Sequence, residues 1–150
     1  KLFFEYHKII LCGRGLSHIL CQWLASDLAG SQIPTMIVNA ELNESVYSVL
    51  PTLDADTLFV AVSFPDYYFM TDQITKYAKM KGAKIVGITD SPSAGVAKYA
   101  DKLLTVRSTT RMFLNTASAP MALINMLMSA VKIEGGLEAE VIGKEFGSLF

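Results

Sequence analysis

The chain has 150 residues, 51% of them apolar and 18% charged, with a formal net charge of −1. That length and composition describe one globular domain with a substantial core and exclude a disordered segment. Near-neutral charge without a clustered Lys/Arg surface excludes a nucleic-acid-binding face on this stretch, because phosphate neutralisation needs such a cluster.

The first residues, Lys1 and "LFFEYHK", hold no long apolar core before a small-residue cleavage site, so no signal peptide is expected. A chain that opens on Lys1 rather than Met is expected to be a fragment of a longer protein. Apolar runs then alternate with helical patterns. "KIILC" (8–12), "TMIVN" (35–39), "TLFVAVS" (57–63), "KIVGIT" (84–89) and "KLLTV" (102–106) are short and rich in Val, Ile, Leu and Thr. They show little polar alternation, as strands covered on both faces do.

Between the first two runs, Leu16, Ile19, Leu20, Trp23 and Leu24 fall at helical spacing, and Gly30 stands where that helix would stop. After the third run, Met70, Ile74, Tyr77 and Ala78 repeat the pattern. Lys79 and Lys81 sit at the negative end of that helix dipole, with Gly82 as a left-handed cap. Strand–helix alternation predicts parallel strands with right-handed crossovers. The expected architecture is a three-layer α/β/α sandwich around a five-stranded parallel sheet in flavodoxin-like order. The spacing predicts a further helix over 111–131 whose Phe113, Leu114, Met121, Leu123, Ile124, Met126, Leu127 and Met128 are apolar nearly all round. Either it is enclosed within the domain or one side meets a second subunit across a two-fold interface. Its two Asn, its Pro and its hydroxyls argue against a membrane span. The tail over 132–150 gives no pattern beyond a break at Gly135-Gly136.

Cys12 and Cys21 are nine residues apart, a spacing that fits neither a zinc knuckle nor a redox pair. They read as buried free thiols of a cytoplasmic protein, and no metal or cofactor is expected.

The first strand runs straight into "GRGLS" (13–17). In an open parallel sheet, ligands bind where strand C-termini turn into helices. Gly13 and Gly15 permit positive φ angles and close approach to the backbone there. The following helix directs free N–H groups and its positive dipole end to the same point, and Ser17 adds a hydroxyl. The combination suits an anion such as phosphate, although a tight turn capped by Ser17 would also use these residues. Arg14, at the loop tip, is placed either against that anion or in solvent. A nucleotide-triphosphate loop is excluded because Leu16, Ser17 and His18 stand where Gly-Lys-Ser/Thr is needed. A dinucleotide fingerprint is excluded by His18 in place of its third glycine and Asn39 in place of the acid ending the second strand.

"CGRGLS" (12–17), "LFVAVSF" (58–64), "AKMKGAKIVGITDSP" (78–92) and "VAKYADKLLTV" (96–106) together resemble the sugar isomerase, or SIS, domain over roughly 8–131. The "AVSFP" and "GITDSP" forms resemble the C-terminal domains of RpiR-type transcription regulators, in which an N-terminal helix-turn-helix domain binds DNA. The resemblance implies a single SIS domain over 1–150, with DNA contacted only through a preceding domain absent from this chain. It also implies a phosphosugar held at the strand ends of a homodimer. Its first loop maps onto Gly13, Gly15 and Ser17. Its second, S-x-S-G-x-T, corresponds to Ser63, Phe64, Pro65, Asp66, Tyr67 and Tyr68, and retains only Ser63. A phosphate there loses two donors and meets a carboxylate, and each charge-assisted hydrogen bond is worth about 1.5–3 kcal/mol. Tyr67 or Tyr68 is the replacement donor, or the ligand carries less charge. Thr89 and Ser91 match the third stretch. Asp66 and Asp90 are candidates to orient sugar hydroxyls, Asp90 ahead of Asp66 because it directly follows strand four. Thr116, early in the last helix, is expected to add a hydroxyl from the partner side.

Aldose–ketose isomerisation needs a general base, and family members that carry one after the last strand have a Glu there. Here no acid lies between Asp101 and Glu134. Glu41, Glu44 and His18 are the remaining candidates, but Glu41 and Glu44 read better as solvated loop residues and His18 as a helix-surface group. The sequence therefore favours a phosphosugar sensor over an isomerase, with a ligand-free dimerisation domain as the third alternative.

Overall fold

The computed structural model describes every residue except Gln32, Phe113, Leu114, 136–143, Glu145 and Phe150. Five strands, β1 (Lys8–Gly13), β2 (Thr35–Asn39), β3 (Thr57–Ser63), β4 (Lys84–Thr89) and β5 (Lys102–Thr105), form one sheet. The order is β2-β1-β3-β4-β5, with every neighbouring pair parallel, as the alternation predicts. Helices α1 (Leu16–Leu28), α2 (Asn43–Val49), α3 (Phe69–Met80) and α4 (Ser118–Gly135) cover it.

Alternate strand residues face opposite layers. Ile9 and Leu11 of β1, with Leu58, Val60 and Val62 of β3, pack against Leu20 and Leu24 of α1 and Ile124, Met128 and Val131 of α4. Ile10, Cys12, Phe59 and Ala61 point the other way, onto Val46 and Val49 of α2 and Ile74 and Ala78 of α3. β3 is buried from end to end, and β1 and β4 are buried beyond their first residues, Lys8 and Lys84, which is why the three read as apolar runs. β5 lies at the edge and is only partly covered. Both cysteines are free and buried, and burial pushes the Cys12 thiol up to about 12, so it stays protonated and inert at neutral pH.

The predicted start of the last helix is corrected by seven residues: α4 begins at Ser118. Pro120 sits in its first turn, where a missing N–H is harmless. The described residues immediately before it, 115–117, are irregular, held in part by the Thr116 N–H donating to the Ser108 carbonyl at 2.7 Å. Thr116 therefore precedes the helix, and Phe113 and Leu114 lie outside the described residues. The enclosed alternative also falls for the single chain. Pro120, Ile124, Met128 and Val131 face the core, while Met126 is 64% exposed. Trp23 donates from Nε1 to Asn125 Oδ1 at 2.8 Å, and Lys132 meets Asp27 at 3.2 Å, so α4 is fastened along α1. No described helix is long and apolar enough to cross a membrane.

Asp101 ties the start of β5 to β4. Its carboxylate accepts from Lys79 Nζ at 2.6 Å and from the Ile85 N–H at 2.8 Å. Burial raises its pKa, but these bonds outweigh burial and hold the carboxyl below its ordinary value. A lowered folded pKa gives stability that is complete above the unfolded value, about 3.9, and is lost as pH falls through the folded one. Asp101→Asn is expected to destabilise the chain by about 1 kcal/mol at pH 7 and to flatten the acid limb of stability against pH. Urea unfolding of both proteins at intervals from neutral pH to about pH 2 measures this; parallel acid limbs would remove Asp101 as the cause.

Candidate ligand-binding site

With this strand order the chain leaves β1 to one side for β2 and returns on the other for β3. The topological switch point, where open α/β sheets bind ligands, therefore lies between the C-terminal ends of β1 and β3. A cleft of about 220 Å³ opens there, lined by Arg14, Gly15, Leu16 and Ser17 from the first turn and by residues 62–66 and Tyr68 from the second, with Thr71 and Asn115.

The first turn is built on its two glycines, for different reasons. Gly15 has φ +55°, a conformation that other residues adopt only at a cost in strain. Gly13 ends β1 so close to α1 that a Cβ would lie 2.7 Å from the Ser17 carbonyl carbon and oxygen. It permits close helix–strand packing and lies behind the cleft lining rather than in it. Gly15 is also the N-cap of α1, with no side chain capping the helix. The Ser17 and His18 N–H groups are satisfied by the Arg14 and Gly15 carbonyls at 3.0 Å. Ser17 is only 6% exposed and its hydroxyl makes no hydrogen bond among the described residues. The reading of Ser17 as an ordinary cap is thus corrected: its hydroxyl belongs to the cleft.

Ser63, 4% exposed at the end of β3, is the second hydroxyl of the lining. Beyond it the loop supplies Pro65 and Asp66. Tyr68 lines the cleft with the Arg14 guanidinium 5.0 Å from its ring centroid, and Arg14 Nε donates to Glu41 Oε1 at 2.7 Å. The hydrogen bond and charge of Glu41 raise the Arg14 pKa further, so the group is a permanent cation. Of the remaining predicted residues, Thr89 is fully buried at the end of β4, beside Ser63 in register. Asp90 accepts from the Tyr67 hydroxyl at 2.5 Å, and burial with that bond pushes Tyr67 up to about 12. Ser91 pairs with Ser93 at 2.8 Å, and Thr116 turns toward Ser118. Thr89, Asp90, Ser91 and Thr116 stand outside the lining.

Of the polar lining residues, sequence reasoning missed Thr71, buried on α3, and Asn115. Asn115 Nδ2 donates to the Pro65 carbonyl, bringing the segment before α4 against the second loop. No motif marks it; its place depends on a contact spanning 50 residues of chain. Among the candidate bases, Glu41 is held by Arg14, Glu44 is exposed in the first turn of α2, and His18 lies outside the lining. No group of described His, Cys, Asp or Glu side chains could hold a metal ion.

The SIS domain family model matches residues 2–130. The chain belongs to the SIS domain family. No curated protein matches it at a significant level. Among solved structures, this SIS domain is similar to the sugar isomerase domain of an RpiR transcription factor from Sphaerobacter thermophilus. The two are 21% identical with a TM-score of 0.88, over 97% of this chain and 80% of that one. The Vibrio vulnificus NanR protein complexed with ManNAc-6P is 13% identical with a TM-score of 0.79, over 98% of this chain and 58% of that one. E. coli CFT073 c3406 in complex with a sugar phosphate is 19% identical with a TM-score of 0.68, over 91% of this chain and 76% of that one. At these identities the likeness establishes the shared fold of the SIS domain.

Proposed function

We propose that this SIS domain binds a phosphosugar or a related sugar derivative and serves as the effector domain of an RpiR-type transcription regulator. One observation carries the reading: the cleft at the switch point holds the Ser17 and Ser63 hydroxyls with no intramolecular partner among the described residues, beside the N-terminus of α1. Unpaired donors at a helix N-terminus suit an anion with neighbouring hydroxyls. The sugar phosphates held by two proteins of the same fold, NanR and c3406, support the ligand class. The Sphaerobacter domain supports the regulatory role. In this reading DNA is contacted through a helix-turn-helix domain outside this chain, in a cytoplasmic homodimer. Ile19 (59% exposed) on α1 and Met126 on α4 offer a second copy its apolar contact.

Melting the chain against a panel of aldose and ketose 5- and 6-phosphates, N-acetylated and not, tests the proposal. A ligand at 100 times its Kd adds about 2.7 kcal/mol, which raises Tm by about 5–10 °C in a domain of this size. A panel without any shift overturns it.

A phosphosugar isomerase is the second reading, favoured by Asp66, a carboxylate within the lining. Turnover of any aldose or ketose phosphate, abolished by Asp66→Asn, would replace the sensor with the enzyme.

A further inference from the structure

The second loop gives an anion little. Where the family pattern has a hydroxyl and a glycine, this chain has Pro65 and Asp66, and Asp66 sets a negative charge in the lining. Ser17 and Ser63 are neutral donors. Arg14 is the one cation among the lining residues, and its guanidinium is fixed from two directions. Glu41 Oε1 accepts from Nε at 2.7 Å, and the Tyr68 ring lies under Cζ at 5.0 Å. No bond to its two terminal nitrogens occurs among the described residues.

We propose that Arg14 is the group that takes the ligand's phosphate, and that Glu41 and Tyr68 are positioning residues that hold its guanidinium ready. This deepens the proposed function and rests on it. A guanidinium pinned at Nε and stacked on a ring loses most of its rotational freedom before any ligand arrives, so little ordering remains to oppose binding. Its terminal nitrogens form a planar fork that matches two phosphate oxygens, a geometry that a lysine ammonium does not reproduce. The permanent charge of Arg14 replaces the donors lost from the second loop. It also explains the unusual use of a tyrosine at position 68: the ring carries the cation rather than donating its hydroxyl to the ligand. Glu41 then has a structural purpose in the site that needs no proton transfer.

The test is calorimetric titration of the 150-residue chain at two ionic strengths, with inorganic phosphate and with the panel member that gives the largest thermal shift. Arg14→Gln is expected to weaken the phosphosugar about 10- to 100-fold and to flatten the salt dependence of its Kd. Arg14→Lys, which keeps the charge, should restore the salt dependence but only part of the affinity. Tyr68→Leu should weaken binding severalfold with the salt dependence intact, whereas Glu41→Gln should weaken it severalfold and steepen the salt dependence, because the Arg14 charge is then no longer compensated by a carboxylate. Ser17→Ala serves as the contrast: it weakens binding but leaves the salt slope unchanged. An Arg14→Gln protein that melts like the wild type yet binds within threefold, or keeps the wild-type salt slope, overturns the role of Arg14 and leaves the sensor reading standing. A misfolded Arg14→Gln passes the decision to Arg14→Lys: full affinity there overturns the fork. If the wild-type chain binds no phosphosugar, both proposals fall together.

Discussion

Replacing Gly13 with alanine is expected to lower stability by about 3 kcal/mol, near the upper end for overpacking, and Tm by about 6–12 °C. The added methyl would stand 2.7 Å from two backbone atoms of Ser17, in the first turn of α1. Real Cβ atoms do not approach backbone so closely, and no rotamer change can relieve a contact between a methyl and the main chain. Either β1 or the start of α1 must move. α1 is packed through Leu20, Cys21 and Leu24 into the same core as Ile9 and Leu11, so the strain spreads into a densely filled layer. Movement of α1 also carries Ser17 away from Ser63, so the phosphosugar-induced shift in melting should disappear in the same protein. Gly15→Ala separates the two effects. No atom stands within 4 Å of a Cβ there, and only the backbone conformation, φ +55° with ψ −123°, opposes it, so the loss should be smaller, about 1–2 kcal/mol. Thermal unfolding of both variants with and without ligand measures the difference. Equal losses would show that close packing at Gly13 is not the constraint.

The second large effect falls on binding. Ser17→Ala removes a hydroxyl that makes no hydrogen bond among the described residues and leaves the helix cap untouched, because Gly15 holds that position without a side-chain bond. Stability should therefore change by less than about 0.5 kcal/mol, as at a site without structural partners. Phosphosugar affinity should fall by about 1.5–3 kcal/mol, roughly 10- to 150-fold, the value of a hydrogen bond to a charged group. Ser63→Ala should act in the same direction, and the double variant should lose more than either alone. A Ser17→Ala protein that is markedly destabilised but binds normally would return Ser17 to the role of a packing residue.

Much of this architecture is legible without coordinates because its signals are local. β1, β3 and β4 are covered on both faces, so each appears as an unbroken apolar run whose ends fall within a residue of the strand. Gly82 marks the end of α3 because only a residue without a Cβ takes φ +89° easily. α2 had no such signal: seven residues, two of them buried, are too few for helical periodicity to show. The predicted start of α4 falls seven residues early because apolar residues continue in the sequence upstream of Ser118, where the helix begins. Periodicity reports a buried face, not the hydrogen bonds that define a helix.

The sequence by itself determined the layers, the parallel strands, the glycine turn after β1 and the presence of Ser17 and Ser63 at two strand ends. Those properties follow from residue type and short-range spacing, which physics converts directly into backbone conformation and burial. Tertiary structure alone decided which hydroxyls share a cleft. Ser17 and Ser63 line one cleft because β1 and β3 are neighbours, whereas Asp90 is engaged by Tyr67 and stands apart. It also decided that Arg14 is held by Glu41 and Tyr68, and that Asn115 reaches Pro65. These contacts join residues 27 to 54 positions apart, and no local preference encodes them. They exist because the sheet brings the ends of distant strands within a few ångströms of one another, where hydrogen bonds and charges act over short range.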